Sequence, residues 1–273
     1  MSGQTLGQPP SPLVGEGRGE GVTLAGQHIA ITRPVGQAAP LLKRIQALGG
    51  EAIPLPLLKI APPATPISPD ALKRQCQAAD LIAFISPNAA RMALQILSRA
   101  HWPPGVRLAC VGQGTARALH AAGFGDVLVP SDGANSEALL ALPELCAVRG
   151  QRILIVRGEG GRTLLADTLA ARGAQVDHAV VYRRLPLPPD LTALRRRGAV
   201  TFVITSSEAL QVLVNAARDQ ASLDWLREQI FVFGHPRIAE TGRAFGLLRG
   251  IIVDSPADDA LLTALLGLAQ NKR

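Results

Sequence analysis

The stretch ILIVRGEGGR, Ile153 to Arg162, runs from four apolar residues into three glycines flanked by two arginines. Arg157 and Arg162 bring positive charge to a glycine loop. If a helix follows, its free N–H groups add to that charge, so the chemistry offered is the holding of an anion. The same residues also read as a tight turn with two solvated arginines. Tyr182, the only tyrosine of the chain, can donate a hydrogen bond or a proton without carrying charge. It reads equally as a connector residue packed against a linker. Ser86 and Ser206 each follow an apolar run; their hydroxyls can donate to a carboxylate, and they also suit a helix N-cap.

These residues need elements to place them. A short β-rich apolar run ended by glycine predicts a core strand, and TLLADTLAARG predicts a helix with Leu164, Leu165 and Leu169 on one face, ended by Gly173. In an open α/β sheet the loops at the carboxyl ends of the strands line the ligand crevice. The chain also repeats itself. Gly26–Ile60 lies over Gly150–Arg184 without a gap, at an offset of 124, with Arg33 on Arg157, Gly36 on Gly160 and Gly49 on Gly173. LIAFISPNAA lies over TFVITSSEAL at an offset of 120, placing Ser86 on Ser206, and LACVGQGTARAL over IFVFGHPRIAET at 122, placing Gly112 on Gly234.

Each half therefore alternates strands and helices, which predicts an α/β fold: two similar doubly wound parallel-sheet domains facing across a cleft. The proline-rich segments IPLPLLKIAPP and VDHAVVYRRLPLPP are the expected connections.

The 273 residues suffice for two such domains, and 47% hydrophobic residues predict a mostly globular chain. Residues 1–25 are rich in Gly, Pro and polar residues and are expected to form a disordered leader. Without a signal-peptide pattern or a run of about 18 apolar residues, a soluble cytoplasmic protein is expected, with no membrane contact. Cys76, Cys110 and Cys146 are scattered and read as buried thiols, and the five histidines are isolated, so no metal is implied. A net charge of +7 implies acidic partners. Aromatics at 3% argue against stacking on single strands, and Arg195-Arg196-Arg197 reads as a solvated helix terminus, so nucleic acid is not expected.

Taken in order, ITRP (Ile31–Pro34), FISPNA (Phe84–Ala89), VGQGTARAL (Val111–Leu119), the ILIVRGEGGR loop, VVYRR (Val180–Arg184) and ITSSEAL (Ile204–Leu210) resemble the uroporphyrinogen-III synthase family over roughly Gly26 to Leu266. The resemblance implies two α/β domains joined by a two-stranded connection with the first strand–helix unit exchanged. Residues 26–55 plus 186–273 would form one domain and 56–185 the other. It implies a substrate, hydroxymethylbilane, which is a linear tetrapyrrole carrying eight carboxylates, and closure with inversion of ring D and loss of water in tetrapyrrole biosynthesis. No cofactor is implied, and a monomer is the default.

On this resemblance Tyr182 takes the place of the family's cleft tyrosine and Thr115 that of its cleft threonine. The candidate substrate contacts are Arg33, Ser86, Asn88, Gly112, Gln113, Thr115, Arg157, Gly158, Gly160, Arg162, Ser206 and Arg237. Two positions depart from the pattern: Arg237 stands where the family usually has threonine, and Ile85 replaces a hydroxyl residue. A non-catalytic two-domain protein that closes on an organic anion has the same bilobal logic. A dinucleotide site is poorly supported, because Arg117 and Thr163 stand at the third glycine positions of the two GxGxxG-like loops.

Overall fold

The computed structural model describes residues 23–271. Its strands are β1 (His28–Ile31), β2 (Glu51–Pro54), β3 (Leu58–Ala61), β4 (Leu81–Phe84), β5 (Arg107–Cys110), β6 (Val127–Leu128), β7 (Arg152–Gly158), β8 (Gln175–Pro186), β9 (Val200–Ile204), β10 (Ile230–Phe233) and β11 (Gly250–Ile252). One sheet has the order β2-β1-β9-β10-β11 and is parallel throughout. The other has the order β3-β8-β7-β4-β5-β6, parallel except for the antiparallel pair β3–β8.

The internal repeat explains these orders. Its three offsets match β1 with β7, β9 with β4 and β10 with β5, and under that matching the two five-stranded parallel orders are the same. The unit β1–helix–β2 lies in a sheet with β9, although β3 to β8 intervene in the chain. Gly36 and Gly160, superposed by the repeat, both have the left-handed backbone that favours glycine, at φ 86° and 67°.

Both faces of each sheet are covered, as apolar runs such as Leu81–Phe84 and Val200–Ile204, buried at every residue, require. In the first sheet Phe202, Ile204, Phe231 and Phe233 pack on the helices Ser207–Ala216 and Pro236–Ala244. On its other face Ile29, Ile31, Val203 and Val232 meet Ala39–Ala47 and Asp258–Gln270. In the second sheet Ile82, Phe84, Leu154 and Val156 share one core, and Leu81, Ala83, Ile153 and Ile155 the other. The chain is thus α/β with two doubly wound sheets, and β3 against β8 is the two-stranded connection. No helix among the described residues is long and apolar enough to cross a membrane.

Three local expectations need correction. Leu24, assigned to the leader, is fully buried, and its N–H bonds the carbonyl of Leu48, so the fold begins before Gly26; residues 1–22 of that leader lie outside the described residues. Leu164 opens the helix Leu164–Ala171 and stays partly in solvent, while Leu165 and Leu169 are buried as expected. Cys76 and Cys110 are buried but Cys146 is exposed; burial pushes the Cys76 thiol up to about 12.

Candidate active site

With strands numbered along the chain, the first parallel sheet reads 2-1-3-4-5 and the second 5-4-1-2-3, the same arrangement with its β7–β8 pair made last instead of first. The connections from β1 and β9 in the one sheet, and from β7 and β4 in the other, leave in opposite directions, opening a crevice at the carboxyl ends of each pair. In the second sheet that place lies between β7 and β4, at the loop Arg157–Arg162 and at Ser86. In the first it lies between β1 and β9, at Arg33 and Ser206. A shallow hollow of about 670 Å³, lined by Arg195, Trp225 and Arg249, lies instead at the amino ends of β9 and β10.

Tyr182 is carried to the crevice by a β-bulge. Arg157 is opposite Val180 but Gly158 is opposite Tyr182, so one residue of β8 is left over. Regular alternation would have sent Val181 and Tyr182 to opposite faces; here both join the core of Phe84 and Val156. The ring lies on Gly158, where an added Cβ would come within 2.6 Å of Tyr182 Cζ. Its hydroxyl is 3.1 Å from Ser86 Oγ, and Arg184 Nη1 donates to it at 3.4 Å. Ser86 Oγ also accepts from Ala89 N at 3.0 Å, capping the helix Pro87–Ile96. Its counterpart Ser206 caps Ser207–Ala216 in the same way. The cap and binding readings of Ser86 are therefore compatible.

The arginines are engaged with their own chain. Arg33 pairs with Asp258 at 2.5 Å and donates to the carbonyl of Pro256. Arg157 folds back on the carbonyls of Gly158 and Gly160. Arg162 grips Glu137 through both carboxylate oxygens, at 2.5 and 3.0 Å. That hydrogen bond holds the Glu137 carboxyl below its usual range, with Arg237, carried after β10, adding a smaller attraction. Burial, and next the charge of Arg157, push His178 down.

Gly112 and Gln113 begin the helix Gln113–His120, and a Cβ at Gly112 would meet that of Ala134 at 2.7 Å. Gln113 is exposed, as is Arg237, whose N–H bonds His235 Nδ1. Thr115 is 2% exposed, turned into the fold rather than onto an open wall. Asn88 accepts at 2.8 Å from Gln37 Nε2, joining the loop after β1 to the helix after β4. A second bridge between the units is the ion pair of Arg184 Nε and Glu208 Oε2 at 2.5 Å.

The structure thus gathers Ser86, Gly158 and Tyr182 into one cluster and places the other candidates around the strand ends. Gln37, Glu137, Arg184, Glu208 and Asp258 were missed. Arg184 and Glu208 stand within the motifs VVYRR and ITSSEAL, whereas the other three carry no sequence signal that pairs them. Among the described residues no group of three or more His, Cys, Asp or Glu side chains is placed to hold a metal ion.

A family model described as uroporphyrinogen-III synthase HemD matches residues 39–263. The uroporphyrinogen-III synthase of Salmonella typhimurium is 37% identical over 244 residues, covering 87% of this chain and 99% of that protein. That of Escherichia coli is 34% identical over the same shares. Among solved structures, a mutant uroporphyrinogen III synthase from the extremely thermophilic bacterium Thermus thermophilus has a TM-score of 0.61 at 20% identity, covering 90% of this chain and 100% of that one. The uroporphyrinogen-III synthetase of Helicobacter pylori has 0.59 at 16%, with the same coverage. These two speak to the fold alone, while the matched family model and the two sequence relatives, spanned almost end to end, show that the chain belongs to the uroporphyrinogen-III synthase family.

Proposed function

We propose that this chain is a uroporphyrinogen-III synthase, a cyclising hydro-lyase that converts hydroxymethylbilane to uroporphyrinogen III and water. The observation that carries the mechanism is the meeting of the Tyr182 and Ser86 hydroxyls at the strand ends of the second sheet. Tyr182 donates a proton to the terminal hydroxyl, which leaves as water and gives an azafulvene cation. The substituted position of ring D attacks that carbon to form a spiro intermediate, which fragments and recloses with ring D inverted. The proton lost on closure restores the phenol. No redox cofactor is called for, since the substrate is neither oxidised nor reduced.

The protein's main work is to hold a conformation, because the free substrate closes spontaneously to the uninverted isomer. Arg157, Arg162, Arg33 and Arg237 and the helix starts at Ser86, Gly112 and Ser206 grip acetate and propionate arms, Arg162 exchanging Glu137 for a substrate carboxylate. Tyr182 is only 3% exposed and is covered by its own unit, so substrate reaches the hydroxyl at the strand ends once the loops around Ser86 and Gly158 give way. We assign residues 24–55 with 186–273 to one domain, its start moved back from 26 to take in the buried Leu24, and 56–185 to the other, and a monomer working in the cytoplasm. The test supplies freshly made hydroxymethylbilane and resolves the isomers. Type III product is expected; type I alone at the uncatalysed rate overturns the reading, and tight binding without turnover would make the chain an organic-anion-binding protein.

A further inference from the structure

The hydroxyl of Tyr182 has two polar neighbours, and they are held differently. Ser86 is fixed by its own sheet, as the cap of the helix that follows β4. Arg184 is not. It stands on the two-stranded connection, opposite Ile60 of β3, with Nη1 3.4 Å from Tyr182 Oη and Nε 2.5 Å from Glu208 Oε2. Glu208 lies in the first turn of Ser207–Ala216, a helix packed on the other sheet, where the free N–H groups favour a carboxylate. A long, flexible arginine held to a phenol only by one long hydrogen bond and by a guanidinium 5.9 Å from the ring centroid, near the limit of a cation–π contact, would not stay in place by those contacts alone. The ion pair adds little to stability, because its side chains are 32% and 47% exposed, and Nε is not in hydrogen-bonding geometry with the carboxylate, so it biases where the guanidinium lies through charge and closeness alone.

We propose that Arg184 is a positioning residue for Tyr182, set by Glu208 across the two units, so that the phenol is fully ordered only when they are closed. This rests on Tyr182 acting at the leaving hydroxyl. Proton donation is thereby tied to closure: when the units part, Arg184 loses Glu208 and Tyr182 loses its second neighbour. Substrate that has entered but is not yet enclosed meets a phenol held by Ser86 alone.

The single tyrosine makes a direct test possible, because ring-labelled tyrosine gives the NMR signals of Tyr182 only. Glu208→Gln does not replace any group recorded in contact with the ring. It is expected to move the ring signal, to lower kcat about 3- to 10-fold with KM little changed, and to add no further loss in a Tyr182→Phe background. Arg184→Gln should act in the same way, and unchanged melting of both variants would show that the fold is intact. A ring signal unmoved by Glu208→Gln overturns the proposal. So does an equal loss of kcat from Glu208→Gln with and without the Tyr182 hydroxyl. If the ring signal moves but Tyr182→Phe turns over at the parent rate, the ordering stands and the acid role of Tyr182 fails.

Discussion

Gly158→Ala is the substitution that tests the packing of Tyr182 most directly. The added Cβ would lie 2.6, 2.8 and 2.9 Å from Tyr182 Cζ, Cε2 and Cε1. Carbon atoms rest at about 3.5–4.0 Å, so the ring has to retreat by roughly 0.9 Å or more. A shift of that size directed away from Ser86 would stretch the 3.1 Å hydroxyl contact to about 4.0 Å, beyond hydrogen-bond range. The backbone of Gly158 is not in the left-handed region, so alanine brings no conformational strain there. Overpacking a core in this way costs about 1–3 kcal/mol. For a protein of this size each kcal/mol lowers Tm by about 2–4 °C. Thermal melting and turnover of hydroxymethylbilane would be measured together. The expected result is a lower Tm, with kcat reduced toward that of Tyr182→Phe. Tyr182→Leu in the Gly158→Ala background removes the ring and should restore much of the lost stability, while Tyr182→Phe keeps the ring and should not. A Gly158→Ala protein that melts and turns over like its parent would refute the reasoning.

Tyr182→Phe should slow turnover by about 10²–10⁴-fold, the usual worth of general acid help, while the product stays mostly type III; turnover at the parent rate would remove Tyr182 as the acid. Glu137→Gln should free Arg162 and strengthen binding of the tetrapyrrole product, measured by titration; unchanged or weaker binding would count against Arg162 as a carboxylate grip. Since its partner holds the Glu137 carboxyl below the ordinary 4.5, the pairing is present above that pH and is lost as pH falls through the lowered value, although with both side chains about half exposed it adds little to stability. The difference in product binding between parent and Glu137→Gln should therefore be present at neutral pH and close on acidification, as the protonated carboxyl releases Arg162, and a difference that widens would contradict the pairing. Leu24→Ala should cost about 2–5 kcal/mol in chemical denaturation, as for any fully buried leucine, and a loss below about 0.5 kcal/mol would place Leu24 outside the core.

Much of the fold could be read because the chain states it twice. A single apolar run ending in glycine is ambiguous, but the same run with its glycine at two positions 124 residues apart fixes strand, loop and helix together. The serine and glycine loops could be read for the same reason, and so could the connection, whose prolines keep both strands out of the sheet centres. The bulge at Tyr182 could not, because period-two alternation carries no mark of an inserted residue; only the packing of the ring on Gly158 shows which face it takes. The carboxylates that engage the arginines were also hidden. Asp258 lies 225 residues from Arg33 and Glu137 25 from Arg162, and an acid at a helix start looks like any solvated one. Leu24 was lost in a polar stretch, where one leucine cannot establish a period.

The exchanged first unit sets the order in which the molecule can be built. His28 to Ile31 pair with Val200 to Val203, so β1 has no neighbour on that side until most of the chain has left the ribosome. Every strand of the second sheet, by contrast, has been made by Pro186. Until then β1 and β2 form at most a two-stranded parallel pair, with Ile29 and Ile31 waiting for the core they share with Val203 and Val232. Finishing the second sheet first draws the ends of that long intervening segment together at β3 and β8, which spares β1 most of the loop-closure entropy of finding β9. The antiparallel pair that joins the units is therefore also the scaffold that brings the newborn end of the chain back to its partner.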